Sequence, residues 1–208
     1  MNNRLEKIKT DPAYNHLLTI QYNDIVPFVF EYLKKYTLPV ILSYLFITCS
    51  LIWMVITRIG ITGDFPFPVI LLHSLIGFIL IPLLLILPHE LLHVLPYWFT
   101  GARDIRIGAE PGEFYFYVTA HNHPVGNSGF QIIAITPFII ISLILVPVSF
   151  FLTPLWQWSI VSAFFMHNTM CAGDLALINF FYLNRDKKII TWDNAEEKKA
   201  YFYEVPGT

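Results

Sequence analysis

The sequence is poor in charged residues. Only 13% of its 208 residues are Asp, Glu, Lys or Arg, against about 25% in soluble proteins, while 55% are hydrophobic. This composition argues against a soluble domain and indicates a membrane protein of one domain. The net charge is −2, and the sequence has neither a basic patch nor a glycine-rich phosphate loop. We therefore expect the lipid bilayer as a partner and no nucleic acid.

Cysteine is also scarce. Cys49 and Cys171 each fall in an apolar segment, which favours small buried hydrophobic side chains over a disulfide or a CxxC pair of metal ligands. The first 36 residues are polar and of mixed charge, without the apolar stretch of a signal peptide. We therefore expect the first membrane span to direct insertion.

Long uncharged runs predict four membrane spans, at residues 38–57, 67–100, 131–152 and 156–183. The first run has 20 residues, about the length with which a helix crosses roughly 30 Å of hydrocarbon. The second would be about 51 Å long as one straight helix. Because that is too long for a simple span, we expect kinks at its prolines, Pro82, Pro88 and Pro96, or a part that lies at the interface.

The loop between the second and third spans has the pattern of two strands. Residues 104–107 alternate polar and apolar side chains, residues 113–118 are rich in aromatic side chains, and Pro111 and Gly112 separate the two stretches. The pattern predicts a β-hairpin at about residues 103–120. Strand structure at membrane depth is tolerated only where protein or water covers it. We expect the hairpin just outside the bilayer or folded over a polar site.

The distribution of Lys and Arg predicts the orientation. With four spans, twelve of the thirteen basic residues fall on the side of both termini and the hairpin loop, and only Arg58 falls on the other. The positive-inside rule places the basic side in the cytoplasm. We therefore expect a multi-pass protein of the cell membrane, with a cytoplasmic segment (1–37), a membrane domain (38–183) and a cytoplasmic tail (184–208).

The sequence HELLH at residues 89–93 lies in a run that otherwise carries no charge from residue 65 to residue 102. A helix places His89 and His93 on one face, where both imidazoles can bind one Zn²⁺ ion. Glu90 points about 100° away around the helix. It is therefore better placed to take a proton from a zinc-activated water than to bind the metal. The motif predicts one zinc site per chain, with Glu90 as the catalytic acid–base.

Asp174 is a second isolated carboxylate, in an uncharged run from residue 114 to residue 184. An ionisable group in a bilayer is costly and needs a partner. By helical rise, His89 and His93 lie about 16 and 10 Å before the end of the second span, and Asp174 about 13 Å before the end of the fourth. The three side chains reach one depth, so we predict Asp174 as the third zinc ligand. Alternatively, Asp174 only hydrogen-bonds a neighbouring helix.

Two other residues near Asp174 are candidates for a supporting role. His167 shares its helical face with Asp174, and either supports the metal ligands or is a hydrogen-bonded histidine of the membrane domain. Asn168 could orient a ligand or the substrate backbone. His121 and His123 follow the hairpin and could approach the site, although interfacial loop residues are the more common interpretation.

The HELLH in a membrane span, the hairpin after it and an Asp in a later span resemble the intramembrane zinc proteases of the site-2 protease type. More closely, HELLH together with the sequence CAGDL at residues 171–175 resembles a bacterial family of membrane zincin peptidases, formerly described as a domain of unknown function. The resemblance covers residues 67–183. It implies His89, His93 and Asp174 as zinc ligands and Glu90 as the acid–base. Unlike the site-2 motif, this sequence has Gly173 before the Asp and no Asn-Pro.

We therefore expect an all-α polytopic membrane protein with about four spans and a small hairpin between the second and the third. We expect it to be a zinc metalloprotease that hydrolyses a membrane or membrane-proximal protein near the cytoplasmic face. The hairpin could hold an extended peptide by β-augmentation. The alternative is a non-proteolytic metal-binding membrane protein, such as a metal-ion carrier or a scaffold. A carrier ordinarily has several polar sites along its path, and these spans contain one cluster.

Overall fold

The computed structural model describes residues 3–110 and 115–206, which are mostly helical with two small sheets. The helices are α1 (Asn3–Thr10), α2 (Ile25–Leu33), α3 (Leu38–Gly60), α4 (Phe67–Leu75), α5 (Ile81–Phe99), α6 (Asn127–Ser149), α7 (Pro154–Met170) and α8 (Ala172–Leu183). The strands are β1 (Asn15–Gln21), β2 (Ile105–Glu110), β3 (Tyr115–Ala120), β4 (Val125–Gly126), β5 (Ile189–Asn194) and β6 (Lys199–Glu204).

Three helical stretches within the described residues are long and apolar enough to cross a membrane: Leu38–Gly60, Phe67–Phe99 and Asn127–Ser149. The second stretch joins α4 to α5 through a π-helical turn, Ile76–Leu80. These stretches indicate a membrane protein. Where the sequence predicts a fourth span, the chain forms two shorter helices, α7 and α8, that meet at Cys171. The fourth span and the segment boundaries at residues 37 and 183 stay predictions.

The prolines of these helices fall into two groups. Apart from Pro82, which follows the π-helical turn inside the continuous stretch Phe67–Phe99, one group lies in the first turn of a helix, where the missing N–H has no helical partner in any case: Pro27, Pro39, Pro68 and Pro154. The other lies inside α5 and α6: Pro88, Pro96, Pro137 and Pro147. Each interior proline leaves the carbonyl four residues earlier without its usual helical donor. Such a carbonyl is available to a side chain of another helix.

The helices differ in how much of their surface other parts of the protein cover. Only 11% of the apolar window in α3 is buried, against 33% in α6. Helix α3 therefore lies at the periphery and presents apolar side chains outward, whereas α6 lies near the centre and packs against α5 and α7. The π-helical turn approaches α7 so closely that a Cβ at Gly77 would lie 2.6 Å from the carbonyl oxygen of Ser159. The second apolar stretch is thus packed firmly on α7.

The two ends of the chain meet in one four-stranded sheet of order β1-β6-β5-β4. Strand β1 pairs antiparallel with β6, with Asn15 opposite Glu204 and Gln21 opposite Lys199. We call this sheet together with α2 the cap. Its apolar face joins the main buried cluster, where Phe202 lies against Phe130 of α6 and Phe181 of α8. The cap therefore covers one end of the helices that carry HELLH and Asp174.

The loop between α5 and α6 contains the paired strands β2 and β3, which run antiparallel from Ile105 opposite Ala120 to Glu110 opposite Tyr115. The proposed turn at residues 111–112 lies outside the described residues. The strand pair is attached to the cap, because the N–H of Asn122 donates to the carbonyl of Asp193 at 2.7 Å. Strand β3 also packs against α5, so the strand pair lies over the helix with the HELLH sequence.

Candidate metal centre and active site

Helix α5 presents His89, Glu90 and His93 at the inner end of a cavity. Both imidazoles are 7% exposed, and their ring centroids lie 5.3 Å apart. One nitrogen or oxygen donor from each of the three side chains lies within 4.8 Å of the other two. The helical spacing therefore brings the motif together as the sequence predicts.

Asp174 lies in the first turn of α8 and faces both imidazoles. Its Oδ2 is 3.2 Å from Nε2 of His89, and its Oδ1 is 3.5 Å from Nε2 of His93. In a tetrahedral zinc site with ligand bonds of about 2.1 Å, neighbouring donor atoms lie about 3.4 Å apart. The donor types and these two separations are compatible with a zinc ion, and Asp174 as the third ligand beside His89 and His93 stays a prediction.

A proline in α6 explains how His93 is oriented. Nδ1 of His93 lies 2.9 Å from the carbonyl oxygen of Ile133. The helical donor for that carbonyl would be the N–H of residue 137, which is Pro137 and has none. Since a carbonyl can only accept, Nδ1 carries the proton and Nε2 keeps its lone pair for a metal. Pro137 thus frees the acceptor that sets the tautomer of His93.

His167 supports His89 in a similar way. Nδ1 of His89 lies 3.2 Å from Nε2 of His167, which is fully buried in α7. If Nε2 of His89 binds a metal, its Nδ1–H donates to His167, and His167 then carries its own proton on Nδ1. Such an outer partner fixes the ring and raises the basicity of the ligand. This position is compatible with either of the two alternatives given for His167, and its role stays a prediction.

Two further residues near the proposed ligands, Asn168 and Cys171, come from the last turn of α7 and the residue that follows it. Donor atoms of His89, His167 and Cys171 form a second group within 4.8 Å of one another. The two groups share a single imidazole, that of His89. The amide of Asn168 has no hydrogen-bond partner among the described residues, and it lines a separate apolar cavity of about 330 Å³ that also reaches Asp174. A role for Asn168 towards the substrate stays a prediction.

The two loop histidines lie away from the ligands. His123 contacts the hydroxyl of Thr100 at 3.1 Å, and Nδ1 of His121 accepts the N–H of Ala195 at 3.1 Å. Neither residue lines the cavity at the HELLH sequence. They attach the end of the hairpin to α5 and to the cap, which agrees with their interpretation as loop residues.

The cavity at the HELLH sequence has a volume of about 430 Å³ and mostly apolar walls. Helices α5, α6 and α8, strand β3 and the cap contribute to its lining. The backbone N–H of Val118 in β3 faces the carboxylate of Glu90. An N–H that faces Glu90 points away from β2, so at Val118 the edge of β3 that β2 does not occupy faces the cavity.

The structure adds polar residues to the cavity that the sequence does not single out, among them Tyr97, Tyr22 and Asp193. Tyr97 lies one turn after His93 on the same face of α5 and is 5% exposed. Its position four residues after His93, and so on the same helix face, is a sequence signal that could identify it as a residue of the cavity. Tyr22 and Asp193 come from the two terminal segments, and the hydroxyl of Tyr22 donates to Oδ1 of Asp193 at 3.4 Å. No local pattern predicts these two, because sheet pairing across the chain brings them to the site.

Burial changes the ionisation of this cap pair. It raises the pKa of Asp193 to about 6, although the hydroxyls of Thr119 and Tyr22 beside the carboxylate oppose the rise. The pKa of Tyr22 is raised as well, first by burial and then by the Asp193 carboxylate. Tyr22 therefore stays a neutral hydrogen-bond donor at physiological pH, while Asp193 is mostly ionised at pH 7.

Comparison with protein families agrees with the donor set. The family described as "Putative zincin peptidase" matches residues 78–190, more than half of the 208 residues, including HELLH and Asp174. A search of the curated proteins and a search of the solved structures each found no match. Zincins bind zinc through two histidines on a helix, and the imidazoles of α5 fit that arrangement. The chain therefore belongs to this zincin peptidase family.

Proposed function

We propose that the chain is a membrane-embedded zinc metalloprotease that cuts a peptide bond of a membrane or membrane-proximal protein. The observation that carries the proposal is the position of Glu90. Its carboxylate lies beside two imidazoles whose Nε2 atoms face Asp174, and it opens into a cavity large enough for a short peptide segment. A general base beside a metal centre and an apolar cleft is the constellation that peptide hydrolysis requires.

Each side chain of the site has a separate role in the proposed reaction. His89, His93 and Asp174 would hold one Zn²⁺ ion, which supplies a Lewis acid and makes a water nucleophilic near neutral pH. Glu90 takes the proton of the attacking water and delivers it to the nitrogen of the leaving amine. The carbonyl of Ile133 and the ring of His167 hold the two imidazoles in orientation. Tyr97, next on the same helical face, lies within reach of the reacting carbonyl.

Strand β3 suits an extended substrate. Its open edge faces Glu90 at Val118, and β2 occupies the opposite edge. A peptide that pairs with this edge would run past the metal centre with its carbonyl groups presented in a regular order. The hairpin would then act as the substrate platform that the sequence analysis predicts.

The proposed topology has four spans, namely α3, α4 with α5, α6, and α7 with α8, and both termini in the cytoplasm. The site then lies near the cytoplasmic face. Two matched substitutions test this orientation, because Asp64 and Asp186 are both exposed and lie on opposite predicted sides. In intact cells, Asp64→Cys should react with an impermeant thiol reagent, and Asp186→Cys should react only after permeabilisation. The reverse pattern would overturn the orientation.

The decisive experiment on the reaction uses Glu90→Gln. Glu90 is not one of the three proposed ligands, so this variant should keep its zinc content and melting temperature while cleavage falls by at least about 10²–10⁴-fold. Proteomic comparison of membrane-protein fragments from cells with the wild type and the variant identifies the lost products. Glu31→Gln, on the exposed surface of α2, is the matched control and should cleave normally.

The same experiment distinguishes the protease from the alternative function, a non-proteolytic metal-binding protein. A metal-ion carrier or a scaffold that has kept the zincin fold would hold zinc and would tolerate Glu90→Gln without loss of function. Equal fragment patterns in the wild type and the variant, with zinc bound in both, would therefore replace the protease proposal by this alternative.

A further inference from the structure

The cavity has polar groups at two places. One is the metal centre on α5 and α8, and the other is a group on β3 and the cap that comprises Asp193, Tyr22 and Thr119. The walls between them are mostly apolar. No Lys or Arg occurs among the described residues that line the cavity, although three carboxylates do: Glu90, Asp174 and Asp193. The metal centre uses the first two, and the third has no role in it.

Asp193 is a carboxylate without a cationic partner. The hydroxyl of Tyr22 donates to it, but within the described part of the chain no Lys or Arg lies at ion-pair distance from its oxygens. The neighbouring His121 directs its ring towards Ala195, Asn122 and Glu196 instead. A carboxylate placed in an apolar cavity is costly unless a positive charge compensates it. A ligand can supply that charge.

Thr119 adds an independent observation on the same wall. It is 2% exposed and lines the cavity, and its hydroxyl lies beside the Asp193 carboxylate, to which it can donate. With its proton directed to Asp193, the oxygen of Thr119 provides a second acceptor for a ligand with several N–H donors.

The position of Tyr97 relates this wall to the metal centre. Tyr97 lies one turn beyond His93 on α5 and lines the same cavity as Asp174 and Asp193. One substrate held in this cavity can therefore contact the metal centre and Asp193 at the same time.

From this geometry we infer that Asp193 determines substrate specificity by holding a cationic group, an ammonium or a guanidinium, of a substrate that lies in this cavity. Thr119 and Tyr22 complete the subsite as hydroxyl partners. The cation is either the side chain of a Lys or Arg or the free amino terminus of the substrate. The inference rests on the proposed protease function for its substrate, and the family match, which ends at residue 190, does not include Asp193.

The test measures binding without cleavage, on the zinc-loaded Glu90→Gln protein in detergent. The probes are fluorescent apolar nonapeptides that carry Lys, Arg or the neutral norleucine at one position. Each peptide is made with a free and with an acetylated amino terminus. The cationic peptides should bind about tenfold more tightly than the neutral ones, as expected for a charged hydrogen-bonded pair. Asp193→Asn, which keeps an oxygen for Tyr22, should abolish that preference and leave the affinity for the neutral peptide unchanged.

Two further variants complete the design. Asp193→Glu retains the charge and should retain the preference, which keeps the test valid if the asparagine variant folds poorly. Glu196→Gln, at an exposed acid outside the cavity, should behave like the parent protein. If the Lys and Arg peptides bind more tightly than the norleucine peptide, the bound cation is a side chain. If the free peptides bind more tightly than the acetylated ones, the bound cation is the amino terminus.

Equal binding of cationic and neutral peptides, or a preference that survives Asp193→Asn, would overturn the inference. A failure of the protease proposal has a different outcome. In that case the Glu90→Gln protein still prefers cationic peptides through Asp193, but the protein with Glu90 cleaves none of the peptides.

Discussion

Helix α5 positions His89 and His93 by local spacing, whereas the cap places Asp193 in the same cavity through strands that pair across almost the whole chain. The first arrangement needs only one stable helix, because residues four apart share a face. The second needs β1 to pair with β6, so that a residue near one terminus lies beside a residue near the other. The metal centre and the wall opposite it thus depend on different kinds of interaction.

This difference separates the chemistry of the site from its selectivity. The residues that would bind metal and move protons lie inside the stretch that matches the family. The residues that close the cavity from the cap lie before residue 78 or after residue 190. Changes in the cap can therefore alter what the cavity accepts without changing the metal ligands. Three substitutions, in order of decreasing effect, test whether the two regions behave independently.

The largest effect should come from the ligands. His93→Ala removes a buried imidazole that faces Asp174, so the purified protein should lose most of its zinc, and Asp174→Ala should weaken binding. Elemental analysis gives the zinc content per chain. His73→Ala is the control, because His73 is also buried in the second apolar stretch but contacts Ser159 at 2.9 Å instead of the site. Full zinc occupancy in the His93→Ala/Asp174→Ala double variant would rule out this metal centre.

A smaller effect should follow from Pro137→Ala. The new N–H at residue 137 competes with His93 for the carbonyl of Ile133, so zinc affinity should fall by about tenfold, the lower end for loss of a partner of a metal ligand. The substitution also removes a proline from a helix interior, which favours the helix. The melting temperature should therefore hold or rise while the affinity falls. Competition with a chelator measures the affinity.

Pro147→Ala provides the matched control in the same helix. It offers the same gain in helix propensity, but the carbonyl that it affects belongs to Leu143, whose side chain is 68% exposed on the outer face. Its zinc affinity should equal that of the wild type. If both proline variants weaken zinc binding equally, Pro137 acts through the shape of α6 and not through the carbonyl of Ile133.

Sequence patterns predict the grouping of His89, His93 and Asp174 better than they predict the cavity around it. The HELLH spacing and the depth of Asp174 lead to the contacts found between these side chains. Pro137 is visible in the sequence, but its role follows only once His93 is known to approach Ile133. Strands β1, β5 and β6 lie in segments interpreted as polar termini. Strands β5 and β6 pair locally, but β1 pairs with β6 across more than 170 residues. A local period carries no information about such a pairing.

The membrane helices show the same limit. Uncharged length predicts spans at residues 38–57, 67–100 and 131–152, because crossing a bilayer is a requirement on length and hydropathy. These ranges overlap the helical stretches Leu38–Gly60, Phe67–Phe99 and Asn127–Ser149. The interruption at Cys171 between α7 and α8 is not visible in hydropathy, since the residues on both sides are mostly apolar. It places Asp174 in the first turn of a new helix. Hydropathy locates the segment but does not show where its helix breaks.

The smallest effect concerns the cap and depends on pH. The folded pKa of Asp193, about 6, lies above its ordinary value of 3.8, so folding disfavours the ionised form. The stability that the protonated carboxyl contributes is fully present below about pH 3.8 and is lost as the pH rises through about 6. Asp193→Asn has no such proton to lose, and it keeps an oxygen for Tyr22. At pH 7 a pKa rise of this size corresponds to at most about 3 kcal/mol, and solvent screening of the partly exposed carboxylate reduces the expected effect to roughly 1 kcal/mol. The variant should therefore melt about 2–4 °C higher than the wild type for a chain of this size. The difference should shrink to nothing towards pH 4, with both proteins measured free of zinc in the same detergent.

An exposed control, Asp186→Asn, should show no such pH-dependent difference. A variant that melts lower than the wild type at pH 7 would mean that the Asp193 carboxylate stabilises the cap, and the cavity would then need no ligand to compensate its charge.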